Sequence, residues 1–548
     1  MEQQRPLLYL MLAFLAFMIW SSWTQRNAPP PVSQQTTTQA NSANQLDVPT
    51  SNNLPAAISG VPTSTGTSAK TIRVKTDVLD LEISLTGGSI LQADLLTYPV
   101  SLDEPDNPVR ILDRTKQYAA QSGLTNVSNR PEDAPNHYAK FNAEKDEYIL
   151  EGDTLVVPLT WQNANGLTVV KTYTFTKGKF LIGVEQTVNN QTGEVWSGNQ
   201  YQQISHGENE SSGGFGLTSV SFVGGAYYND KYEKVSFGDM QDDDLKVQIK
   251  GGWAAMLEHY FLSAWIPGAD ERNTYYTKYI ESQNNHILGL TSPVLTVPDG
   301  KAGLFKSQFY VGPKTQKNLE TMSPGLDLTV DYGIFSFVSK PIFWVMNKIQ
   351  GVVSNWGWTI ILMTILLKIL FFYPSAISYR SMAKMKKLSP KLKELNEKHK
   401  DNPQAKQKAT MDFYRKEKIN PLGGCLPILI QMPVFMGLYW VLLESVELRQ
   451  APWILWFKDL SVMDPFFVLP LLMGFSMYIQ QRLNPPAVTD PMQQKIFQFL
   501  PVVFTIMFLF FPAGLVLYWV VNNVLSIIQQ YVITKQIMGD DAPILNKI

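Results

Sequence analysis

Six stretches of this 548-residue chain are too apolar to sit in water: residues 7–23, 356–373, 422–443, 465–479, 496–511 and 515–533. A helix crossing a bilayer needs about 17–25 apolar residues, so these runs impose a membrane α-helical bundle. The 465–479 run is short, and it spans only with local thinning or polar flanks. The first run follows Arg5 and has the look of a signal peptide. No small-x-small cleavage pattern follows it, since Ser21, Ser22 and Trp23 pass straight into Thr24, Gln25 and Arg26. We read it as an uncleaved anchor. The only cysteine, Cys425, lies in an apolar run, so no disulfide forms within the chain.

Charge fixes the sidedness. Between the second and third runs, from Arg380 to Lys418, thirteen basic residues face five acidic ones, a net of +8. Between the third and fourth runs the net is −2. Positive charge beside span ends marks the cytoplasmic face. Both termini are then cytoplasmic, and residues from Arg26 to about Gln350 lie outside the cytoplasm. The whole chain has a net charge of −1, which gives no basic excess for a nucleic acid.

The order of segments follows. Residues 1–26 hold the cytoplasmic end and the anchor. Residues 27–70, rich in Pro, Gln, Thr, Ser and Asn, lack the apolar content to fold and read as a disordered linker. From 71 to 330, short alternating runs at 71–85, 167–176, 180–188 and 293–297 are punctuated by turn signals at 163–166, 189–193 and 298–300. That pattern predicts a β-sandwich, separable from the bundle, with 253–266 as a capping helix. Residues 331–350 carry Ile334, Phe337, Val338, Ile342, Val345, Met346 and Ile349 at helical spacing. They predict a helix lying in the membrane interface or packed on the sandwich. The second span, 351–374, leads to a basic helical hairpin at 375–420. Spans three to six fill 421–533, and 534–548 is a short cytoplasmic tail.

No catalytic or metal constellation emerges. His206, His259 and His286 are scattered, and the acidic stretch 239–244 lacks the glycine and closing Glu of a calcium loop. The chain reads as no enzyme and calls for no cofactor. What remains is Lys368, a cation inside the second span. Such a residue is costly and marks function by default, although a Lys so near Pro374 also has a plain snorkelling explanation. Thr364 shares its helical face, Gln431 sits mid-way along the third span, and Asn522, Ser526 and Gln529 form a stripe on the last. Amides and hydroxyls serve as helix–helix glue. A cation with no intramembrane carboxylate is not explained by glue, and it points to a wet cavity open to the cytoplasm.

At these positions the sequence resembles the YidC membrane protein insertase family in its Gram-negative form. The resemblance is carried by residues 381–385 (Ser-Met-Ala-Lys-Met), 420–425 (Asn-Pro-Leu-Gly-Gly-Cys), 429–433 (Leu-Ile-Gln-Met-Pro), 446–452 (Val-Glu-Leu-Arg-Gln-Ala-Pro), 489–495 and 514–518. It implies a five-helix insertase core plus an N-terminal anchor span, with a large periplasmic β-sandwich domain, in the bacterial inner membrane. It also implies a hydrophilic groove built from Lys368, Thr364, Gln431, Asn522 and Ser526. A substrate slide into lipid would run along Met432, Pro433, Phe435, Phe508, Tyr518 and Trp519. Implied partners are nascent membrane proteins, the Sec translocon, membrane lipids, and the ribosome and signal recognition particle receptor through the cytoplasmic loops. The groove cation is most familiar as Arg where this chain has Lys368, and Trp519 stands where a second Tyr is common. The tail lacks the basic extension that some members carry. A small-solute transporter or channel is the other reading of an intramembrane cation; no repeat between the spans and no coupling carboxylate supports it.

Overall fold

The computed structural model describes residues 47–49, 70–128, 133–207, 221–399, 402–417, 426–483 and 491–538. The first apolar run, most of the 27–70 linker, motif residues 420–425 and 489–490, and the tail beyond 538 lie outside the described residues.

Period-two burial builds the sandwich. Strands Leu167–Thr176 and Leu181–Asn190 bury alternate residues and pair antiparallel. Turn chemistry holds where the sequence places it. The Asn163 side chain accepts the N–H groups of Asn165 and Leu167 (3.0 and 2.9 Å), and Gly166 takes φ +94°, a conformation that glycine adopts without strain. Among the described residues the strands form an eleven-stranded and a nine-stranded sheet. Leu81, Ile83 and Ile90 of the first meet Val157, Leu159, Val184 and Phe309 of the second in one core.

The 71–85 run is a hairpin, because the Thr76 hydroxyl accepts the N–H groups of Val78 and Leu79 (3.2 and 2.9 Å) and turns the chain. One local expectation fails. The 253–266 stretch is not a helix but the paired strands Ala254–Leu257 and Phe261–Pro267. Every residue of both strands is buried, so the sequence lacks the alternation that marks a strand. Lys171 adds a charge that the sequence reading passed over. It is fully buried, with its ammonium donating to Gly87 O (2.6 Å) and Ser122 O (2.7 Å). Burial pulls its pKa down to about 7.

Short helices α1 (Phe237–Asp242) and α2 (Gln316–Met322) accompany the sheets. The helical region follows with α3 (Ser336–Val353), α4 (Trp356–Leu370), α5 (Phe372–Lys398), α6 (Pro403–Lys416), α7 (Leu426–Glu444), α8 (Val468–Leu483), α9 (Pro491–Phe508) and α10 (Ala513–Met538). Helix α3 packs on the bundle, not on the sandwich. Ser339 donates to Gly437 O (2.9 Å), and Ile342, Phe343 and Met346 are buried with bundle residues. Its other face leaves Phe337, Trp344 and Val352 exposed, as is Ile334 in the turn before it, which suits the headgroup boundary. Among the described helices, Ala513–Ile537 alone is long and apolar enough to cross a bilayer unaided. Trp356–Leu370 and Phe372–Leu388 qualify only together, across a 67° bend. At 15 and 16 residues, α4 and α8 reach only about 22–24 Å, less than the ~30 Å hydrocarbon layer.

The sandwich is fastened to the bundle just beyond α7. Arg449 donates to Pro99 O (2.8 Å) and Val100 O (3.2 Å), its guanidinium 5.7 Å from the Phe261 ring. Gln450 donates to Pro99 O (2.9 Å). Ser221 donates to Glu444 (3.2 Å), and His259 donates from Nε2 to Leu443 O (3.0 Å). Burial raises the Glu444 carboxyl against the pull of the Lys314 ammonium. Burial also pushes Glu447 up to about 7, from an ordinary value of 4.5. A carboxyl raised on folding stabilises the folded state at low pH, and that contribution is lost as pH climbs from 4.5 through 7. We expect Glu447→Gln to flatten thermal stability between pH 5 and pH 8, removing a loss on the order of 2 kcal/mol. Melting curves of the detergent-solubilised chain at both pH values check this. Parallel curves for the variant and the original chain would remove Glu447 from the pH response.

Candidate functional site

Helix α4 is two-faced. Leu362, Leu366, Ile369 and Leu370 are exposed, while Ile360, Met363 and Thr364 are buried. Lys368 falls on the edge of the inward face, and its stem carries the ammonium between helices rather than along α4. Lys368 Nζ donates to Ser526 Oγ on α10 at 2.7 Å, and that hydroxyl donates to Asn522 O at 2.7 Å. The Asn522 side chain accepts from Gln431 Nε2 on α7. Thr364 donates to Ile360 O at 2.6 Å, so it is satisfied within its own helix. Gln529, the third member of the α10 stripe, donates to Phe372 O at 3.0 Å, across the α4–α5 bend. Each residue of the stripe therefore reaches a different helix or bend.

Four of the five groove residues read from the sequence, Thr364, Lys368, Gln431 and Asn522, line one cavity with Leu367, Phe371, Ser375, Val434 and Tyr518. Ser526 joins through its bond to Lys368. The cavity holds about 20 Å³ of space for water centres, room for roughly one water molecule. The helices close on the polar groups until they bond one another, and Thr364, Asn522 and Ser526 are almost fully buried. Among the described residues no carboxylate pairs with Lys368. Two polar residues near the stripe stand apart from the cavity: Asn523 donates to Ser476 Oγ (3.1 Å), an ordinary interhelical bond.

The slide residues gather above this polar knot. Phe435 stacks on Tyr518 (centroids 6.4 Å apart) and meets Trp519 edge-on (5.0 Å). Phe508 meets Trp519 edge-on (5.7 Å) and packs on Phe511 (5.0 Å). Tyr518 bonds the Gln431 side chain, tying the aromatic set to the polar one. Met432 and Pro433 are half-buried beside Gln431 on α7. Outside the cavity, Lys386 on α5 donates to the terminal carbonyls of α8 at Arg482 and Leu483 (3.4 and 3.2 Å). The sequence reading did not single out this contact, which seats the basic hairpin on the bundle.

Two family models match in tandem: the YidC periplasmic domain over residues 71–345 and the 60Kd inner membrane protein over 348–540. The chain belongs to the YidC membrane protein insertase family. The membrane protein insertase YidC of Thioalkalivibrio sulfidiphilus is 49% identical over 98% of this chain and 99% of the relative. That of Methylococcus capsulatus is 47% identical over 99% of this chain and 100% of the relative. A solved active YidC insertase with its first transmembrane domain resolved aligns at 16% identity and a TM-score of 0.38, covering 85% of this chain and 93% of that one.

Burial predicts how the YidC-type cavity reacts at rest. In a Cys425→Ser background, cysteines at 368 and 431 should label readily with a water-soluble maleimide. Those at 364, 522 and 526 should be slower by about tenfold, since each needs a local opening. Equal rates at all five positions would show a groove already open.

Proposed function

We propose that this inner-membrane protein inserts nascent membrane proteins through the Lys368 cavity. It is an insertase and not an enzyme, and the cavity does no bond chemistry. The observation that supports this reading is a cation held by a hydroxyl, with no carboxylate partner among the described residues. A hydroxyl leaves the positive charge of Lys368 uncompensated, so the acidic, hydrophilic head of a client is a better partner than Ser526. When the client arrives, it displaces Ser526 and the Gln431–Asn522 bond opens, wetting the cytoplasmic half of the bundle. The short helices α4 and α8 favour a locally thinned bilayer, which shortens the apolar barrier. The client span then leaves along Phe435, Tyr518, Trp519 and Phe508, where aromatic surface passes it to lipid. On this reading both termini are cytoplasmic and the sandwich is periplasmic. The basic α5–α6 hairpin meets anionic lipid, and it is the face for the ribosome and the signal recognition particle receptor. The protein works alone or beside the Sec translocon.

Insertion of matched clients with acidic and neutral translocated segments, normalised to variant abundance, tests the role of the cation. Lys368→Arg should keep activity. Lys368→Ala should slow the acidic client about three- to tenfold, the worth of one charge contact of ~1 kcal/mol, and Lys368→Glu should slow it further. The neutral client should change least. Equal insertion of both clients by Lys368→Ala and the original chain would take Lys368 out of the mechanism, and a loss that follows abundance alone would restore the snorkelling explanation.

A further inference from the structure

Far from the bundle, the sandwich holds a carboxylate in a nearly sealed polar pocket. The carboxylate is Asp47, which precedes the first strand by more than twenty residues and is only 9% exposed. His137 Nε2 lies 3.0 Å from Asp47 Oδ1, and the Tyr138 hydroxyl donates to the same oxygen. The other side of the imidazole is fixed by Tyr201. Its hydroxyl oxygen accepts the backbone N–H of His137 (2.9 Å) and lies 2.6 Å from His137 Nδ1. The Asp47 carboxylate can only accept, so Nε2 carries the proton and Nδ1 accepts from the Tyr201 hydroxyl. The network therefore selects the imidazole tautomer that donates to a carboxylate.

The backbone around the pocket is built to the same end. Gly87 adopts φ +74°, and a Cβ there would fall 2.2 Å from His137 O; a Cβ on Gly123 would fall 2.6 Å from the Tyr201 hydroxyl. Both glycines let the His137 loop and the Tyr201 ring reach their places. Asn136 accepts the N–H of Tyr138 (2.9 Å) and holds the loop in its turn. Although burial alone would raise the Asp47 carboxyl, the bonds from His137 and Tyr138 hold it below its usual range. Donors aimed at a charged group are about twice as strong as neutral ones.

We infer that the sandwich carries a dedicated carboxylate-binding site whose occupant is Asp47 of the same chain, pinning the segment between the first apolar run and the sandwich part-way along its length. The pin divides the tether. From Arg26 to Thr71 the extended chain reaches at most about 150–160 Å, but from Arg26 to Asp47 only about 70–75 Å. The chain length free to extend from Arg26 to a fixed point is then less than half that of the full segment.

Spin labels at Val48→Cys and Glu151→Cys, in the full-length Cys425→Ser chain, read the pin directly. With Asp47 present we expect one narrow distance, and Asp47→Ala should broaden it several-fold. Asp47→Asn, which keeps the acceptor oxygen and loses the charge, should fall between. Asp47 lies outside the sheets, so its replacement leaves the sandwich folded, and an unchanged melting curve confirms that control. His137→Gln should reproduce the broadening of Asp47→Ala from the other side of the contact. A broad distribution with Asp47 present, or a narrow one in Asp47→Ala, overturns the inference.

Discussion

A cation placed among apolar helices has to be answered by something, and in this protein the answer is a single hydroxyl. Lys368 on Ser526 links α4 to α10, and Gln431 on Asn522 links α7 to the same helix. These two bonds organise the polar interior of the bundle. Both are exchangeable, because an amide or a hydroxyl gives up a partner far more cheaply than a buried ion pair does. A carboxylate in place of Ser526 would satisfy the ammonium and lock the bundle shut. Position 526 is a serine, and the cavity is held by bonds of modest strength.

The outer end of the bundle is held in a different way. There a carboxyl and a guanidinium meet the sandwich, with Glu444 buried under the influence of Lys314 and Arg449 half-buried on strand carbonyls. Removing one member of such a set leaves its polar partner unanswered. The molecule therefore combines a loosely bonded cavity with a more firmly bonded junction.

Much of this was legible in the chain, for physical reasons. Strands half-exposed to water advertise themselves by alternation, as in Leu167–Thr176. The same alternation, carried one step further, places Lys171 on the inward side between Val169 and Tyr173, a signal that the attention to apolar runs passed over. The hairpin at 254–267 was illegible because both its faces are buried and period two disappears. Lys368, Gln431, Asn522 and Ser526 were brought together by shared depth and facing, and neither says which of these side chains bond one another. His137 gave no signal, since its partner Asp47 lies ninety residues away in a stretch that composition marks as unstructured.

Helix α7 carries Gln431 near its first turns and Glu444 at its end. The helix is therefore a beam joining the loosely bonded end to the firmly bonded one. Were it stiff throughout, any tilt imposed by cargo at Gln431 would swing the whole sandwich. Pro433 lies two residues beyond Gln431, where it removes a backbone hydrogen bond from the ladder. The compliant point falls beside the cavity, so the inner segment can yield while the outer eleven residues stay clamped. Bonded to the sandwich through Leu443 and Glu444, the outer part of α7 is the fixed end of the beam.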